Sequence, residues 1–209
     1  MQLRMGNAHQ PAGKGSALAR WLLGLFGWQV RFNGLPALQG VIIIYPHTSN
    51  WDFVVLILAK WAVGLDVSFW GKDSLFKIPL FGYWLRWIGG VPVVRNAPQG
   101  VVGQAVGSLS QARAEQRLFW LGLSPEGTRK LTAGWRSGFY RTAVVAQVPL
   151  GFVSLDYGQR VVDASQFVDL SGDETADFAR IRHVFAHVKG LHPQLAAPIE
   201  PLPGRSAGT

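Results

Sequence analysis

The apolar positions along the chain keep two alternating rhythms. Short runs rich in β-branched and aromatic residues occupy 41–45 (VIIIY), 67–70 (VSFW), 91–94 (VPVV), 117–122 (RLFWLG) and 148–155 (VPLGFVSL). Compact runs of this kind, bounded by Gly, Pro or polar clusters, predict buried strands. Longer segments with apolar residues three and four apart lie between them and predict helices over 16–28, 51–63, 74–88, 100–114, 137–146 and 174–189. The last helix sets Phe178, Ile181, Phe185 and Val188 at helical spacing and follows two capable caps, Ser171 and Asp173. Strand–helix alternation predicts a single α/β domain, with a mixed, mostly parallel sheet flanked by helices. Chemistry in such folds gathers at the carboxyl ends of the strands.

The two ends read differently from the middle. Residues 1–35 form an N-terminal segment in which Leu18, Trp21, Leu22, Leu25, Phe26 and Trp28 predict an amphipathic helix lying in a membrane interface, a helix docked on the core being the alternative. The stretch WLLGLFGWQV at 21–30 falls short of the ~18 apolar residues that a membrane span requires. No cleavage site of a signal peptide follows it. The α/β domain occupies 36–197, and PIEPLPGRSAGT at 198–209 reads as a flexible tail.

Composition narrows the function classes. With no cysteine among 209 residues, thiolate chemistry and a disulfide scaffold are both excluded. The net charge of +8 asks for an anionic partner: nucleic acid, anionic lipid or a phosphorylated substrate. Between residues 72 and 141 ten Lys and Arg stand against three acids, whereas acids predominate after residue 155. A basic middle and an acidic end fit a localised anion site. The chain carries no nucleic-acid-binding motif, and its positive charge coincides with the segments described next, so nucleic acid is not the expected partner.

The first of these segments is YPHTSNWDF at 45–53, where a strand runs into a helix. Ser49 or Asn50 caps the helix in this reading, and Asp52 lies in its first turn, where the helix dipole favours a carboxylate. His47 sits in the approach loop, from which Asp52 can accept its imidazole N–H. An imidazole so oriented is a general base. A capped helix with a loop histidine would have the same sequence. The second segment, LSPEGTRK at 123–130, is a turn forced by Pro125 and Gly127 that crowds Glu126, Thr128 and Arg129 together. The arginine fork and the hydroxyl suit a phosphate, though a solvated turn also looks like this. The third, LRWIGGVPVVRN at 85–96, delivers Arg95 to the end of a short strand, and the fourth, AQVPLGFVSLDY at 146–157, reads as architecture. His183 and His187 stand four apart on the last helix, but no third ligand accompanies them, and no metal is expected.

In this order and at these separations the four segments resemble the glycerophospholipid acyltransferase family, whose bacterial members include the acylglycerol-phosphate acyltransferases. The family pattern is an H-x4-D block, a Gly-containing block ending in Arg, a P-E-G-T-R block and a V-P-[IV] block. Here these are His47–Asp52, Gly89–Arg95, Pro125–Arg129 and Val148–Leu150, and the similarity runs from about 40 to 156. Ser124, Lys130 and Phe152 depart from the usual residues. The resemblance implies transfer of a fatty-acyl group from acyl-CoA or acyl-carrier protein to the hydroxyl of a lysophospholipid acceptor, 1-acylglycerol-3-phosphate foremost. It implies His47 as base and Asp52 as its orienting carboxylate. Arg95 and Arg129 would bind phosphate, with Glu126, Gly127 and Thr128 shaping that pocket and Lys72 and Arg136 on the same anionic edge. No cofactor is required. The expected location is peripheral, on the cytoplasmic face of the inner membrane.

Overall fold

The computed structural model describes residues 14–93 and 100–202, with the side chain of Lys72 left out. Among the described residues seven strands form one sheet in the order β1-β7-β6-β2-β5-β3-β4. They are β1 Gln29–Arg31, β2 Gln39–Tyr45, β3 Ser68–Lys72, β4 Gly90–Val93, β5 Phe119–Leu123, β6 Leu150–Asp156 and β7 Val161–Val168. All neighbouring pairs are parallel except β6 with β7. The helices are α1 Ala17–Leu25, α2 Trp51–Val63, α3 Asp73–Phe76, α4 Phe81–Trp87, α5 Gly100–Ala114, α6 Gly138–Ala146 and α7 Glu174–Val184. The single α/β domain with a mostly parallel sheet is the architecture that strand–helix alternation predicts.

Strand β2 sits at the centre, and its alternation divides the core. Val41, Ile43 and Tyr45 pack with Leu109 of α5, Phe139 of α6 and Phe178 of α7. Ile42 faces the other way, against Val55 and Ala59 of α2 and Ala19 and Leu23 of α1. A strand covered on both faces reads as an unbroken apolar run because neither set of alternate side chains meets water. Trp120 of β5 lies flat against β2, and a Cβ at Gly40 would run into its ring.

The boundaries show where sequence pattern yields to local geometry. The helix expected over 74–88 is two helices, because Pro79 and Leu80 interrupt it and Leu80 takes φ +61°. Helix α1 stops at Leu25, ahead of Gly27 in the left-handed region. Helix α7 stops at Val184, so His187 lies beyond it and shares no helix face with His183. Asp173 caps α7 by accepting the Ala176 N–H at 3.1 Å. Two strands were absent from the pattern. β1 is a three-residue edge strand, and β7 carries Asp163, Ser165 and Gln166 among its apolar positions.

Helix α1 packs on α2: the Ser16 N–H donates to Trp61 O at 2.8 Å, and Arg20 donates to Ala62 O at 2.7 Å. Ala19 and Leu23 are buried there, while Leu18, Trp21, Leu25 and Phe26 stay exposed. The tail expected to be free from Pro198 is instead docked through Leu202. Trp135 N–H donates to Glu200 O at 2.7 Å, Leu202 N–H returns a bond to Trp135 O at 2.8 Å, and Ile199 is buried. Residues beyond Leu202 lie outside the described part of the chain.

Candidate active site

Three parallel strands, β2, β5 and β6, end at one edge of the sheet, and each hands a residue to the same place. β2 delivers His47, β5 delivers Glu126 and β6 delivers Tyr157. The imidazole Nδ1 of His47 lies 3.1 Å from Oδ2 of Asp52, which is fully buried in the first turn of α2. In this pose the approach is bent away from a straight hydrogen bond, and Nδ1 has no other partner among the described residues. Oδ2 also accepts the backbone N–H groups of Thr48 and Ser49, both at 2.8 Å. Oδ1 accepts the Tyr157 hydroxyl at 2.8 Å.

The cap is therefore arranged differently from the expectation. Asn50 makes no side-chain cap bond; Ser49 Oγ accepts the Trp51 N–H at 3.1 Å, and Asp52 reaches back to hold the loop. Burial pushes the Asp52 carboxyl up, but the contacts from His47, the Ser49 N–H and the Tyr157 hydroxyl together bring it below the usual aspartate range. The carboxylate is thus ionised while it faces the histidine. Tyr157 takes the opposite consequence: burial and the bond to Asp52 raise its hydroxyl far above the usual tyrosine value, so it stays a donor.

Glu126 does not face the substrate side. It is buried and uses one oxygen for the His47 N–H at 2.7 Å and the other for the Ala197 N–H at 3.0 Å. Burial raises its carboxyl above the ordinary glutamate value, and the two N–H donors offset only part of that. Tyr45 adds a third tie by donating its hydroxyl to Ala197 O at 3.0 Å; burial and the nearby Glu126 charge push that hydroxyl up to about 12. Glu126 is a bolt between the histidine loop and the C-terminal segment, in place of the pocket-lining role expected of it.

His47 opens onto a cavity of about 730 Å³, inside the ~300–1,000 Å³ range of pockets that enclose small molecules. Thr128, Arg129 and Arg136 line it at the histidine end, together with Gly127. Gly127 takes φ +66°, and Arg136 crosses it so closely that a Cβ would lie 2.9 Å from Nε. Both arginines are exposed, and neither is ion-paired among the described residues. The Ser124 hydroxyl also lines this end, buried and without a hydrogen-bond partner. Away from the histidine the wall is apolar: Ile42, Ile44, Leu56, Ala59, Val153 and Ala164 enclose space between the sheet and α2. Lys60 is the charged exception there; burial lowers its ammonium group, which donates to Val67 O and Ile88 O.

Of the residues singled out from sequence, the structure brings together His47, Asp52, Gly127, Thr128 and Arg129. Arg95 lies outside the described residues. Lys72 closes β3 opposite Val93, and its side chain is likewise not described. Arg136, ranked below Arg129 by sequence, stands beside it at the cavity mouth. Tyr157 was passed over. It directly follows the last residue of β6, and its position at a strand end was the available signal.

A histidine–aspartate pair at the carboxyl edge of a mostly parallel sheet, opening on an apolar cavity with arginines at its mouth, defines an α/β protein equipped to handle an amphiphilic ligand. The model of the acyltransferase family matches residues 29–154, more than half of the chain, and the protein belongs to that family. Among solved structures, the 1-acyl-sn-glycerophosphate acyltransferase PlsC from Thermotoga maritima shares the fold, with a TM-score of 0.51 and 20% identity over 79% of this chain and 73% of that one. No curated protein gives a significant match.

Proposed function

We propose that the protein transfers a fatty-acyl group from a thioester to the hydroxyl of a lysophospholipid-type acceptor, with 1-acylglycerol-3-phosphate as the acceptor. One observation carries the reading: the His47 imidazole, 3.1 Å from a buried ionised aspartate, faces a cavity that is apolar at depth and bears Arg129 and Arg136 at its mouth. With Nδ1 turned to Asp52, Nε2 is the nitrogen left to take the acceptor's hydroxyl proton. The alkoxide oxygen bonds to the thioester carbonyl carbon, the carbon–sulfur bond breaks, and the proton passes from His47 to the departing thiolate. Asp52 stabilises the imidazolium formed in between.

The apolar depth of the cavity takes an aliphatic chain. Arg129 and Arg136 hold the phosphate, Arg95 being a further candidate from the sequence motif alone, and Thr128 adds a hydroxyl. The Ser124 hydroxyl is a donor available to the carbonyl oxygen as it gains charge. Neither metal nor cofactor enters this route, and the donor is acyl-CoA or acyl-carrier protein. No helix among the described residues is long and apolar enough to cross a membrane. The exposed face of α1 supports a peripheral seat on the cytoplasmic face of the inner membrane, where such acceptors reside.

The test is the purified protein with a panel of lyso-acceptors and isotopically labelled acyl thioesters, read by mass spectrometry and by thiol release. Labelled diacyl product with stoichiometric thiol is expected, and its loss in His47→Ala with the fold retained. Turnover near the parent level in that variant removes His47 as the base; no product with any acceptor removes the reading.

A further inference from the structure

The exposed apolar side chains are not spread evenly. Among the described residues, thirteen of the seventeen large exposed hydrophobics belong to α1, α2, α3, α4 and their connections. These helices stand side by side: Ser16, the cap of α1, bonds to Trp61 of α2, and the Trp61 ring lies 5.7 Å from that of Trp87 on α4. The densest part is the turn between α3 and α4. Leu80, Tyr83 and Trp87 are 87%, 77% and 67% exposed, with Ile78 and Phe81 also open to solvent. Leu80 sits in the turn with φ +61°.

Burial does not explain this cluster, because the same segment packs well on its inner side. Phe76, Leu85 and Ile88 form a buried group with Ile57 of α2, and Trp84 is held between Phe53 and Phe81. The segment is thus a firm amphipathic wedge whose outer half faces solvent. Its outer composition is Leu, Ile, Phe, Tyr and Trp, edged by Lys77, which pairs with Asp73 at 3.2 Å, and by Arg86, which donates to Phe76 O and Gly82 O, in a protein of net charge +8. Aromatic rings with a polar edge, beside cations on long aliphatic stems, match the depth profile of an anionic bilayer surface. The cavity supports the same orientation. Its apolar wall is made by the inner face of α2, and α2 carries Trp51 and Val54 exposed on its outer face.

We propose that the α3–α4 wedge is a membrane-docking element. Its tip, Leu80 and Tyr83, enters the interface of an anionic bilayer, and α1 contributes a second contact of the same layer. The bilayer then lies against the helical layer that roofs the cavity. The value of this arrangement for acyl transfer rests on the function proposed above; the docking itself does not.

The absence of cysteine makes the test site-specific. Tyr83→Cys and, as a control on α6 across the sheet, Val145→Cys are each labelled with an environment-sensitive fluorophore. Both are titrated with vesicles of phosphatidylethanolamine and phosphatidylglycerol. A blue shift and rise in emission are expected at 83 and none at 145. Leu80→Glu/Tyr83→Glu is expected to sediment with the same vesicles at least about tenfold less well, with a parental thermal melt and unchanged turnover of a short-chain acceptor in monomeric solution. No emission change at 83, or wild-type sedimentation of the double variant, overturns the proposal. So does a lipid-free dimer that the double variant dissociates, which would assign the face to a second copy. If no acceptor is acylated while the emission shift persists, the catalytic reading falls and the docking element stands.

Discussion

Tyr157 donates its hydroxyl to Oδ1 of Asp52 at 2.8 Å, from the end of a strand 105 positions along the chain. The carboxylate facing His47 is therefore held from behind as well as from its own loop. Tyr157→Phe keeps the ring and its edge contact with Trp28 but removes that donor. Hydrogen bonds to a charged group are worth about 1.5–3 kcal/mol, so a fall in turnover of about tenfold or more is expected, with little change in acceptor KM.

The same variant has a pH signature. The native carboxyl of Asp52 lies below its unfolded value, so its contribution to stability is complete above the ordinary aspartate range and fades as pH falls through the lowered native value. Without the Tyr157 hydroxyl the native value rises toward the unfolded one, so the variant's stability deficit should be largest above the ordinary aspartate range and shrink as pH falls through the native value. Thermal melts across an acid series of buffers check this; superimposable profiles for the two proteins would show that Tyr157 does not support the carboxylate.

Glu126 titrates in the opposite sense. Its native carboxyl lies above the unfolded value, so its contribution is complete below that unfolded value and is lost as pH rises through the native one. Glu126→Gln turns an amide NH₂ toward one of two backbone N–H donors, which should cost about 1–3 kcal/mol. The deficit should be largest in acid and shrink as pH rises, as read from denaturant melts. Because Glu126 carries the His47 N–H, turnover should fall along with stability.

Arg129→Ala and Arg136→Ala should each raise KM about tenfold for an acceptor bearing a phosphate, with a smaller effect on the thioester. An acceptor without phosphate should be nearly indifferent to both changes. Equal losses on the two acceptors would show that the arginines do not read the phosphate.

Depth of the cavity is tested from its wall. Ala164→Leu, on β7 facing α2, narrows the apolar space and should shift preference toward shorter acyl chains in competition assays. Activity with the shortest donor should be retained. An unchanged chain-length profile would place the acyl chain elsewhere.

The central architecture and the histidine–aspartate pair were legible because each is written locally. The run at 41–45 can be only a buried segment, and His47 and Asp52 are five residues apart. What was not legible depends on partners distant in sequence. β7 is patterned like a solvated segment because β6 supplies its antiparallel neighbour. Glu126 looked like a polar turn residue, since the two N–H groups that claim it belong to positions 47 and 197. Tyr157 closed a stretch that reads as plain strand, and only parallel β2 and β6 show that it ends beside Asp52.

The C-terminal segment gives the site an order of assembly. Ala197 is bonded to Glu126 through its N–H and to Tyr45, 152 positions earlier, through its carbonyl. Until that residue has been synthesised and has reached the sheet, one glutamate oxygen and the Tyr45 hydroxyl lack their partners. The loop bearing His47 is then held at one end only. A nascent chain can pair its central strands early, yet both ties that brace its histidine loop from this side form only after residue 197 has been made.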